Sequence, residues 1–168
     1  MPTIAEMFLA ELDREMPGTR RALERVPEGK ADWKPHPKSM ALGYLAALVA
    51  TMPAWAASMA REDELDLGNA GEYSTFGFAT TTELLQAHDD AVAKARKALT
   101  GLTDEHLMTT WRLRVGGHVV QEQTRHIAIR DGCLNHLAHH RGQLTVYLRL
   151  NDMPVPSLYG PTADERPF

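Results

Sequence analysis

Three histidines fall within five residues near the C-terminus, in Asn135-His136-Leu137-Ala138-His139-His140-Arg141-Gly142-Gln143. On a helix, His136 and His140 stand one turn apart, about 40° from each other around the axis. That spacing lets two imidazoles reach one metal ion. His139 is rotated about 100° from His140 and stays outside the pair. Gln143 and Tyr147 continue the His136 row, so both can line a pocket beside it. Arg141 points elsewhere, toward an acidic partner or the chain's tail. An ion held by the pair would polarise a carbonyl or activate a water or a thiol. Two imidazoles do not complete a ligand set, so a third group must come from another element.

The helices that position this pair are legible from apolar periodicity. Thr3 and Glu6 form a capping box, and Ile4, Met7, Phe8, Leu12 and Leu23 mark the inner stripe of a first helix. Pro17-Gly18 predicts a kink or break in it, and Pro27-Glu28-Gly29 its end. A proline-punctuated loop over 33–39 leads to a second helix over 39–61. Residues 62–79 are acidic, then rich in glycine and aromatics, and read as a long loop. Thr80 to Thr82 cap a third helix that Glu83 to Leu99 carries to Gly101. Alternation on both sides of Gly116-Gly117 predicts a small hairpin, 111–115 with 118–121. A fourth helix is expected over 124–150, and the proline-rich residues 151–168 as an extended arm. Four helices in one domain spanning 1–168 predict an all-α four-helix bundle, in which ligand and metal sites lie between facing helices.

Composition narrows the function classes. The chain has 168 residues, 43% of them apolar and 24% charged, with a net charge of -4. That is the profile of one globular domain with a sizeable core. The acidic balance lacks the basic stripe of a nucleic-acid binder. The apolar run Met40 to Met59 is interrupted by Gly43, Tyr44, Thr51, Pro53 and Ser58, so it reads as a buried helix and not a membrane span. A lone Cys133 excludes an internal disulfide. With no basic-then-apolar leader at residues 1–6, the expectation is a cytoplasmic protein. Phosphate-loop, dinucleotide and nucleophile-elbow motifs are absent.

The third ligand is not evident. Cys133 shares a face with His136 but lies about 10.5 Å along the axis from His140, too far for one ion, and reads as a small core residue. His88 reads as a surface or rim group, as do His106, His118 and His126. His36 reads as a positioning residue of its loop.

Several separated motifs resemble the DinB/YfiT-like family. They are Trp33-Lys34-Pro35-His36-Pro37-Lys38-Ser39-Met40, Leu42-Gly43, Pro53-Ala54-Trp55, the Asn135 to Gln143 segment with Leu144 to Leu150, and the tail from Val155 to Glu165. The resemblance covers most of the chain. It implies that family's four-helix-bundle topology, often dimeric, and a nickel or zinc ion held by three histidines. His136 and His140 match two of them. The third falls six positions after Leu42, where this chain has Leu48. The resemblance further implies thiol-dependent transferase, isomerase or hydrolase chemistry on a small molecule or thiol. Two readings therefore stand side by side. One is a metal-binding protein with an incomplete ligand set. The other is a non-catalytic bundle that lost its metal at Leu48 and serves as a binding or stress-related protein.

Overall fold

The computed structural model describes residues 1–68 and 78–166. Its helices are α1 (Ile4–Leu23), α2 (Leu42–Thr51), α3 (Trp55–Arg61), α4 (Thr81–Leu99), the short α5 (Asp104–Leu107), α6 (Arg125–Ile129) and α7 (His136–Leu150). Its strands are β1 (Glu64–Asp66), β2 (Thr110–Val115) and β3 (His118–Thr124). Helix α4 packs against α1, α2 and α3, and α7 packs against α2 and α1. Leu12, Leu23, Leu42, Leu45, Met52, Leu84, Leu99, Leu137, Leu144 and Leu148 meet in one core between them.

Local chemistry explains most boundaries. Thr3 accepts from the Glu6 N–H at 3.2 Å while the Glu6 carboxylate takes the Thr3 N–H at 2.8 Å. Thr80 and Glu83 repeat the box at the start of α4. Both boxes satisfy donors that a helix start leaves free. Pro17 sits inside α1 on its exposed side, and the helix runs through it unbroken. Pro53 does interrupt: the expected second helix is two, α2 and α3, joined by a 3-10 turn at Met52–Ala54. The run Leu42–Arg61 is long and apolar enough by composition to cross a membrane, yet most of it faces this core. Gly43 is needed where α2 begins. Its N–H donates to the Ala31 carbonyl at 2.8 Å, and a Cβ there would lie 2.9 Å from that of Ala31.

The all-α expectation is corrected by a three-stranded sheet in the order β1-β2-β3. The hairpin forms around Gly116 and Gly117, at φ 57° and 81°, values that suit glycine in a tight turn. Residues 64–66, read as loop, instead pair in parallel with Arg112 to Arg114. Leu65 and Leu113 pack that edge against the core. The aromatic segment around Tyr73 and Phe76 lies outside the described residues.

His88 is a second correction: it is not a rim group but 1% exposed. Its Nδ1 faces the Ala50 carbonyl at 3.3 Å, and its Nε2 has no partner. Burial pushes its pKa below the ordinary histidine value, with the Ala50 and Met16 backbones and Asp89 working the other way and Arg20 with it. The unfolded chain therefore takes up a proton below about pH 6.5 that the fold refuses. The stability present above that pH erodes as pH falls toward the lowered folded value, by up to about 1.4 kcal/mol per pH unit. The wild-type urea midpoint should fall relative to that of His88→Leu between pH 7.5 and 5.5. Parallel profiles would sink this account.

Candidate metal centre

The expected fourth helix is not continuous. Between α6 and α7 the chain makes a π turn over Arg130–Asn135, a feature that recurs at functional sites. Gly132 lies within it, and the Met59 side chain occupies the place where a Cβ would project. The turn also changes the pairing of His136, whose N–H reaches the Cys133 carbonyl and not that of Gly132. His136 opens α7 directly after this turn.

The two histidines meet as their spacing predicts, with Nε2 atoms 2.9 Å apart and ring centroids 4.6 Å apart. His140 is buried and His136 half-buried. The Gln143 Oε1 lies 2.7 Å from His140 Nδ1, and the Gln143 Nε2 lies 3.1 Å from His139 Nε2. An amide oxygen accepts, so His140 donates from Nδ1 and keeps the Nε2 lone pair toward His136. Burial lowers the His136 pKa, and His140 and His139 lower it further, against a hydrogen bond with the Gly132 backbone. His136 is thus held toward the neutral form that binds metal.

Helix α2 runs antiparallel to α7 beside the pair. Tyr147 donates to the Met40 carbonyl at 3.2 Å at one end, and Trp55 packs edge-on to His136 at 5.7 Å at the other. Leu48 lies between those contacts in sequence along α2, half-buried and packed on the core. Tyr147 also packs against Trp33, with ring centroids 5.5 Å apart. Trp55 therefore borders His136, while Trp33 and Tyr147 pack together further along α7.

Two nitrogens 2.9 Å apart suit one ion. Bonds of about 2.0 to 2.1 Å from each would meet at roughly a right angle. Among the described residues no third His, Cys, Asp or Glu joins them in a metal-sized group. Cys133 is buried, its Sγ directed at the Met52 carbonyl at 3.6 Å, and burial pushes its thiol up to about 12. It is a core residue and neither nucleophile nor ligand.

Two cavities, about 430 and 180 Å³, lie on a different flank of α7, where Arg14, Glu15, Arg141 and Tyr159 line both. Arg141 is 2% exposed there. It donates to Thr19 Oγ1 at 2.8 Å, to Glu15 Oε2 at 2.7 Å and to the Tyr159 hydroxyl. Burial alone would raise the Glu15 pKa; hydrogen bonds from Tyr159 and Arg141 outweigh it and hold the carboxyl below its ordinary value. This network clamps the tail to α1 and α7. Its charges are already matched, so the convergent free lone pairs are at the histidines and the chemistry is sought there.

No family model matches the chain, and no curated protein matches it. Solved structures do, among them two from Bacillus. A DinB-like protein from Bacillus subtilis, YjoA, aligns with TM-score 0.69 at 18% identity over 90% of this chain and 96% of its own. A DinB-like protein from Bacillus cereus aligns with TM-score 0.68 at 22% identity over 90% and 95%. The chain has the fold of the DinB-like proteins.

Proposed function

We propose that this DinB-like protein binds one divalent transition-metal ion, nickel or zinc, through His136 and His140. The remaining coordination positions are left to water and a small-molecule ligand. The observation that carries this reading is the pair of Nε2 atoms at 2.9 Å, with His140 Nδ1 already engaged by Gln143. Without an ion the two rings share one proton across this gap as a hydrogen bond, and an ion that displaces that proton meets two convergent lone pairs. A bound ion would supply Lewis-acid chemistry for hydrolysis or for transfer to a thiol. The chain's own part is to orient the two rings. Trp55, Leu48 and Tyr147 also give a bound ligand an apolar border. Leu48 favours the second reading, a groove that binds without metal, because the family resemblance puts the third ligand at this position and leucine offers no donor.

The test is elemental mass spectrometry on untagged protein purified without chelator, before and after nickel or zinc is added back. Close to one ion per chain is expected after add-back, and loss of it in His140→Ala. A content far below one per chain under both conditions would reject the metal and leave the groove reading.

A further inference from the structure

We infer that Gln143, itself oriented by His139, is the positioning residue that sets the tautomer of His140. The part of this inference that concerns metal affinity rests on the metal-binding reading above; the part that concerns the tautomer does not. The three side chains lie on neighbouring positions of α7, His139 exposed, Gln143 half-buried and His140 buried. His139 and Gln143 are four apart, and His140 and Gln143 three apart, so both pairs are neighbours on the helix surface. The amide is the only side chain that touches both rings by hydrogen bonding among the described residues, at 3.1 Å and 2.7 Å.

An amide has two ends of opposite sense. Turned one way, its oxygen accepts from His140 Nδ1–H, and the His140 Nε2 lone pair faces His136. Turned the other way, its NH2 would donate to His140 Nδ1 and force the proton onto Nε2, where it would block the gap between the rings. In the arrangement observed, His139 favours the first, since the amide nitrogen faces its Nε2. With its Nε2 lone pair toward Gln143, it takes the NH2 and leaves the oxygen for His140. The exposed histidine that the pairing leaves out thus fixes the direction of the group that prepares the buried one. Partners of this kind on the far nitrogen of a ligand histidine typically govern metal affinity by 10- to 100-fold.

Three variants and two readouts test this. The first readout is the long-range proton–nitrogen spectrum of histidine-labelled, metal-free protein, which reports which ring nitrogen carries the proton. The second is cobalt(II) affinity followed by its visible absorption. The wild type should show His140 protonated on Nδ1. Gln143→Leu should give mixed tautomers and bind cobalt about 10- to 100-fold more weakly with its melting curve unchanged. Gln143→Glu retains an oxygen for Nδ1–H and should restore both the tautomer and the affinity. His139→Ala should cause a smaller loss of each. A wild-type His140 protonated on Nε2 would overturn the inference, as would Gln143→Leu with unaltered tautomer. If wild type binds no cobalt, the metal reading falls, and the spectrum alone still decides the role of Gln143.

Discussion

Leu48→His should raise zinc and nickel affinity by roughly 100-fold, about 2.7 kcal/mol. Helices α2 and α7 pair antiparallel, pinned at Met40–Tyr147 on one side and at Trp55–His136 on the other, with Leu48 between the two pins in sequence. On the metal-binding reading, a third imidazole would give the three-ligand arrangement of catalytic zinc, which leaves one position for substrate. The half-buried setting limits the cost of the replacement to about 1 kcal/mol, within the ordinary range for a single change. Titration against a competing chelator measures the effect, with Leu48→His combined with His140→Ala as the control. The gain should vanish in the double variant. A folded Leu48→His protein with wild-type affinity would mean that this face of α2 does not open on the histidines.

How far the sequence carried the argument differs from element to element. The capping boxes at Thr3 and Thr80 and the Gly116-Gly117 turn were legible because their chemistry is contained within a few residues. The parallel pairing of Glu64–Asp66 with β2 was not, because it joins segments nearly fifty residues apart and rests on Leu65 and Leu113 reaching the core. Pro17 does not break α1, because the packing of the helix on either side outweighs the one hydrogen bond that proline removes. His88 was misplaced although a signal existed. Leu84, His88, Ala91 and Ala95 form one helical row, and its small alanines, all buried, made an inward face look weak. At the site, the approach of His136 and His140 follows from four-residue spacing on a helix. The π turn and the edge-on Trp55 come from how α3 and α6 pack, which the sequence does not display.

The largest loss of stability is expected from Arg125→Met, about 3 to 5 kcal/mol. Arg125 is 1% exposed, and its guanidinium holds four partners. Nη1 donates to the Met59 and Glu62 carbonyls, each at 2.6 Å; Nη2 donates to Asp63 at 2.6 Å, and Nε to Thr109 Oγ1 at 3.3 Å. Its backbone N–H adds the Thr109 carbonyl at 2.8 Å. Met59 and the C-cap Glu62 belong to the end of α3, where helix carbonyls lack partners and a cation is favoured. One side chain thus ties α3 to β1, to the approach of β2 and to the start of α6. Methionine fills much of the volume but strands two carbonyls, and unmet buried acceptors cost more than the ion pair contributes. Asp63 is 83% exposed, so Asp63→Asn should cost less than about 1 kcal/mol. Arg125→Lys should fall between, since an ammonium cannot span all four acceptors. Urea unfolding of the three variants checks the order. If Arg125→Met stays within about 1 kcal/mol of wild type, the carbonyls have found other donors and the sheet is not held by this residue.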